Sequence, residues 1–163
     1  MSGFRCVAIS TETAERFRRT GMDDNGNVLR RVRAVGGSAP CRHCLREAAE
    51  GEEMLLGSYN LVGPVGIYWT PSPIFVHAAA CARYEGEGEV AEVVRGRLVS
   101  VRSYDAQDQC IYDLGVAVEG RDVDPFLARA VADPRTKFVN VHTAKPGGVL
   151  CRVEPVGFVP MVA

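Results

Sequence analysis

Six cysteines and three histidines carry most of the chemistry available to these 163 residues. Cys41 and Cys44 form a C-x2-C pair, which lets two thiolates on one tight turn reach the same ion. His77 and Cys81 form an H-x3-C pair. On a helix, residues four apart share a face, so that pair could aim at the same ion. Together Cys41, Cys44, His77 and Cys81 have the types and spacing of a tetrahedral zinc site, and four protein ligands leave no open position, so the zinc would be structural. His43 lies inside the first pair and could stand in for one cysteine.

Two other chemistries compete for these residues. A C-x-x-C redox site wants its first cysteine at a helix N-terminus after a strand, where the dipole lowers the thiol pKa. Here Gly36-Gly37-Ser38-Ala39-Pro40 precedes the pair, which speaks against it. The other is an enzyme site built from Cys41, Arg42, Arg102, Tyr104, Asp105 and His142. A cysteine with a histidine base is a nucleophilic pair, and Arg42 with Arg102 could hold an anionic substrate bidentately. Cys41 cannot be both a closed-site ligand and a free nucleophile. Tyr68 and Trp69, with Tyr59, make an aromatic patch suited to loop packing or to stacking a ring.

These residues need elements to position them. Phe4 to Ile9 reads as a strand, and Ser10 caps a helix packed through Ala14, Phe17 and Arg18 and closed by Gly21. Asp23-Asp24-Asn25-Gly26-Asn27 is a turn, lacking the closing glutamate of a calcium loop. Strands are expected over 28–35, 54–59 and 74–76, a helix over 77–84, and a short helix over 90–95. Residues 97–104 and 110–118 form a hairpin, and Asp124-Pro125 opens a helix with the aspartate as cap. Residues 138–143 and 149–154 form the last hairpin, with Val139 and Val141 facing the core and Asn140 and His142 the other side. The apolar tail from Pro155 is expected to cover a sheet edge. Hairpins dominate, so the fold class is α+β, with a mostly antiparallel sheet, a few short helices and a zinc-knuckle segment. The order knuckle, hairpin, helix resembles the treble-clef arrangement of zinc domains.

Composition is that of an ordinary globular chain, with 47% hydrophobic and 24% charged residues. Length predicts one domain over 1–163, with 40–84 as a zinc-binding subsegment. The formal net charge of -1 does not favour nucleic acid. Nearly all cations are arginines, the exceptions being Lys137 and Lys145. No window approaches the ~18 apolar residues of a membrane span, and the first residues lack a signal peptide's apolar stretch, so a cytoplasmic location and reduced thiols are expected.

Several stretches together carry a resemblance: Pro40-Cys41-Arg42, Gly51-Glu52, Pro73-Ile74-Phe75-Val76, Arg102-Ser103-Tyr104-Asp105, Asp133-Pro134-Arg135, and His142-Thr143-Ala144-Lys145-Pro146-Gly147 leading to Cys151-Arg152-Val153. From residue 40 onward the chain resembles the bacterial domain-of-unknown-function 1203 family. The resemblance implies a compact bacterial domain and imports no catalytic residues. Cys41 belongs to the family's pattern, whereas Cys44, His77 and Cys81 stand outside it, so zinc would be an elaboration here. The function expected is a zinc-stabilised binding module for a small-molecule or protein partner. The alternatives are a small enzyme using Cys41 or His142 with Arg42 and Arg102, or a redox protein.

Overall fold

A computed structural model describes residues 3–86 and 88–156. Two antiparallel sheets organise it. The larger has five strands in the order β1-β8-β7-β5-β6, where β1 is Phe4–Val7, β5 Leu98–Tyr104, β6 Val116–Glu119, β7 Phe138–Thr143 and β8 Val149–Pro155. The smaller runs β2-β3-β4, with β2 Arg30–Arg33, β3 Glu53–Tyr59 and β4 Ser72–His77. The chain is α+β, as its run of hairpin signals predicts.

Strand alternation decides what each face of the large sheet does. Val99 and Val101 of β5, Val139 and Val141 of β7, and Cys151 and Val153 of β8 point to one face and are buried together. Helix α3 (Asp124–Ala132) and the single turn α2 (Glu92–Arg95) cover that face through Leu127, Ala130, Val93 and Val94. The opposite face carries the intervening residues. Cross-strand partners share a face, and the register pairs Ser100 with His142, Arg102 with Asn140, and Tyr104 with Phe138. The expected register of the last hairpin therefore holds.

A second apolar cluster joins helix α1 (Thr11–Thr20) to the small sheet. Ala14 and Phe17 pack with Met54, Leu55, Ile74 and Val76, and with Val149 of the large sheet. Phe17 is fully buried, worth about 1.5–3 kcal/mol by removal of its ring from water. The helix ends as its sequence predicts. Ser10 Oγ accepts from the Thr13 amide at 3.1 Å, and Gly21 closes the other end at φ 67° with its N–H on the Phe17 carbonyl.

Three expectations need correction. Residues 77–84 form no helix: His77 ends β4, and the chain beyond it is irregular, so the treble-clef likeness lacks its helix. Propensity loses to long-range partners here. The Ala78 amide continues the ladder to Glu53, the Tyr84 amide donates to His43, and Arg83 spans the carbonyls of Ala8 and Ile9. The strand after the 105–108 turn starts only at Val116, because Tyr112–Leu114 turn as a 3-10 helix. Asp124 is not the cap of α3 but lies inside its first turn, where its carboxylate accepts from Arg95 at 2.9 Å. The tail expected to cover a sheet edge falls, from residue 157, outside the described residues. No described helix is long and apolar enough to cross a membrane.

Candidate metal centre and an aromatic cleft

The Cys41–Cys44 turn is built by hydrogen bonds between near neighbours in sequence and sewn to β4 by one from far along the chain. The Leu45 amide donates to the Cys41 carbonyl at 3.0 Å, and the Cys41 amide to Arg46 at 3.0 Å. Leu45 takes a left-handed φ of 54°, and its side chain is plugged into the main core among the valines of α2 and β5. The Arg42 amide donates to the Phe75 carbonyl at 2.9 Å, which fixes the turn against the strand that ends in His77. Cys81 arrives on the irregular segment pinned by Arg83. The sequence spacing foresaw this convergence, but a strand end and a coil achieve it where a helix was expected.

The ligand atoms of Cys41, Cys44, His77 and Cys81 all lie within 4.8 Å of one another. Cys41 Sγ is 3.9 Å from Cys81 Sγ, and Cys44 Sγ is 3.5 Å from His77 Nδ1. For bonds of about 2.3 Å to sulfur and 2.0–2.1 Å to nitrogen, a tetrahedral ion has S–S edges of about 3.8 Å and S–N edges of about 3.6 Å. Both separations fit that geometry. A disulfide, at about 2.05 Å between sulfurs, is far from formed, and all six cysteines are free. The cluster could hold a metal.

The groups around the cluster complete the argument. Cys41 accepts from the Cys44 thiol and from the amides of Cys44, His43 and His77, which outweigh burial and bring it down to about 4. Cys44 is pushed up, first by its hydrogen bond to that thiolate and then by burial. Burial and the Cys41 charge raise Cys81, but Arg18 Nη2 donates to its sulfur at 3.3 Å and opposes them. With His77 Nδ1 facing the cluster, its Nε2 is left 3.5 Å from Glu52 Oε2, the carboxylate–histidine pairing that orients metal-binding imidazoles. His43 also reaches the cluster, with Nδ1 3.2 Å from Cys81 Sγ and Nε2 2.9 Å from the Thr11 hydroxyl. Its place is beside the Cys81 sulfur, and burial, with the charge of Arg18, lowers its pKa. Glu52 stands in one of the stretches that carry the family resemblance, but no sequence pattern assigned it this role or pointed to the contact of Arg18 with sulfur.

A separate cleft lies on the outer face of the large sheet. Arg102, Tyr104, Asn140 and His142 line it from β5, β7 and their ends, and the 61–70 strap brings Tyr68 and Trp69 over them. The strap is tied down where Trp69 Nε1 donates to the Leu61 carbonyl at 2.9 Å, and Tyr68 hydrogen-bonds the Tyr112 hydroxyl. Tyr104 stacks on Phe138 with ring centroids 4.8 Å apart. His142 is buried with Nδ1 2.8 Å from the Gly147 carbonyl, while its Nε2 has no partner. Burial brings its pKa down to about 4, helped by the charges of Arg102 and Arg42 and opposed by Gly147.

The model of the family described as "Protein of unknown function (DUF1203)" matches residues 38–155. The chain belongs to the DUF1203 family. No curated protein and no solved structure matches it. All four cluster residues fall inside the DUF1203 span, whereas Arg18 and Thr11, which support them, come from the helix before it.

Of the residues offered for an enzyme site, Arg102, Tyr104 and His142 come together in the cleft and the others do not. Arg42 is buried as a strut, its Nε donating to the Val149 carbonyl at 2.6 Å and its Nη1 to Pro40 at 2.8 Å. Burial and the nearby Arg97 lower it to about 10. Asp105 holds a turn, accepting from the amides of Gln107 and Gln109. Cys41 lies in the Cys/His cluster and does not line the cleft with His142.

Proposed function

We propose that this DUF1203 protein is a single-domain binding module of a reducing, cytoplasmic compartment, stabilised by one structural zinc ion on Cys41, Cys44, His77 and Cys81. Residues 40–84 are its metal-dependent subsegment. One observation carries the reading: one sulfur–sulfur edge and one sulfur–imidazole edge at tetrahedral spacing among four converging ligand atoms, with Glu52 behind His77 and Arg18 behind Cys81. Three thiolates around a divalent cation leave one net negative charge, and Arg18 offsets it. The donor set of three sulfurs and one imidazole suits zinc among common ions. A Cys41 engaged as ligand is withdrawn from redox and nucleophilic work, which leaves the cleft as the place for a partner to bind.

Elemental analysis of protein purified without added zinc tests this. One zinc per chain, lost in Cys44→Ser, is the expected result. Metal-free protein with a Cys41–Cys44 disulfide would return the redox reading.

A further inference from the structure

We infer that the cleft between Trp69 and the β5–β7 face binds a small ring carboxylate that also carries an O–H or N–H donor, with Arg102 taking the carboxylate and His142 Nε2 accepting from the donor. The inference deepens the binding-module reading by naming its ligand class; it rests on that reading but not on the metal.

The cleft holds polar groups that the protein itself leaves without a full set of partners. Arg102 donates through Nε to the Ser100 hydroxyl at 3.1 Å, which orients the guanidinium, and no carboxylate pairs with it among the described residues. The acid on the rim, Asp108, is held by Lys137 at 3.1 Å. Asn140, directly across from Arg102, is buried and makes no side-chain hydrogen bond among the described residues. His142 is only 4% exposed, and its Nε2 is buried without a partner. A buried polar atom left unsatisfied loses its hydration with nothing in return, so a site that retains one is arranged for something to meet it.

The tautomer of His142 then fixes what that something is. A carbonyl can only accept, so Nδ1–H donates to Gly147, and the neutral ring presents a lone pair at Nε2. A bare carboxylate has no hydrogen for that lone pair. Arg102 asks for the opposite, an anionic acceptor with two oxygens. The ligand must therefore place an acceptor anion and a donor side by side. Asn140 can serve either through its amide.

Size and shape narrow the class further. The cleft encloses about 50 Å³, room for a carboxylate or a few waters but not for a whole ring. The ring must lie further out, where Tyr68 and Trp69 of the strap line the cleft. Indole and phenol faces favour a flat partner over a branched aliphatic one.

Trp69 is the chain's sole tryptophan, so its indole N–H resonance in a nitrogen-15 NMR spectrum reports on the cleft alone. The zinc-loaded full chain would be titrated with 2-, 3- and 4-hydroxybenzoate, with benzoate, and with inorganic phosphate. At least one hydroxybenzoate is expected to shift that resonance saturably and to bind about tenfold more tightly than benzoate, the value of one hydrogen bond. Arg102→Gln should weaken it about tenfold or more with zinc content and spectral dispersion unchanged. His142→Phe should erase the advantage over benzoate. Equal binding of benzoate and the hydroxybenzoates, binding of phosphate alone, or no saturation by any probe up to about 10 mM would each overturn the proposal. Zinc content measured on the same samples keeps a failure of the cleft separate from a failure of the metal site.

Discussion

Glu52 and Arg18 never touch the proposed ion, yet they determine how well it is held. Glu52 faces His77 Nε2 and orients its ring, and Arg18 places a positive charge against Cys81. Outer partners of this kind are worth 10–100-fold in metal affinity. Glu52→Gln is therefore expected to weaken zinc about tenfold in a competition titration with a chromophoric chelator, while excess zinc still fills one site per chain. Two further residues contribute to the response to acid. His142 is held neutral, with a pKa of about 4 against an ordinary 6.5, so the unfolded chain takes up its proton first and stability falls as pH drops from 6.5 towards 4. Burial alone would raise Asp23, but amides of Ser58, Asn27 and Asn25 and the Asn27 side chain bring it down to about 2. Its contribution is present above the ordinary carboxylate range and is lost as pH falls from about 4 towards 2. Urea unfolding at stepped pH should show both windows. His142→Phe should flatten the upper one only.

At the scale of elements, the sequence was legible wherever local chemistry decided the outcome. Ser10 and Gly21 announced the ends of α1, and the alternation of Phe138 to His142 placed His142 and Asn140 opposite Val139 and Val141. The four metal-type residues were legible from spacing alone. What failed was the helix over 77–84, because eight residues are too few to hold a helix by propensity, and α1, β3 and the Cys41–Cys44 turn each supply partners to that backbone. The packing of the 61–70 strap over the large sheet had no local signal either; it depends on a tryptophan finding a carbonyl eight residues away. Gly120 is a third feature invisible in sequence. A Cβ there would sit 1.7 Å from the Val94 carbonyl oxygen, backbone that cannot yield without moving α2 off the core. Gly120→Ala should therefore destabilise by about 2 kcal/mol or more, whereas Ser10→Ala should cost about 1 kcal/mol through its lost cap. Chemical denaturation of the two variants side by side would show that order.

Across the whole molecule, two cores meet at the knuckle, and this predicts how the protein comes apart. The large sheet and its helices share one apolar cluster, and α1 with the small sheet shares the other. Cys41 belongs to the second cluster, but Leu45, four residues later, is buried in the first. Structural zinc contributes on the order of 10 kcal/mol or more of apparent binding energy, comparable with the net stability of a whole domain. Without it, three sulfurs and an imidazole converge on nothing, and Arg18 faces the half-buried Cys81 thiol. The small sheet has an exposed β2 edge, and what then holds His77 and Cys81 against the knuckle is the Arg42–Phe75 and Tyr84–His43 backbone bonds with the contacts of Arg18 and Arg83. The large sheet keeps its own valines and loses only the anchor at Leu45. Chelated protein should therefore lose amide protection over 40–59 and 72–84 first. The β5, β7 and β8 amides should stay protected, though less than before, because Leu45 no longer fills its place beside Val93. Hydrogen exchange read by mass spectrometry on zinc-loaded and chelated samples separates these segments. Uniform loss across both sheets would mean that the two cores unfold as one; unchanged protection over 40–84 would mean that packing alone holds the cluster and that the metal is not structural.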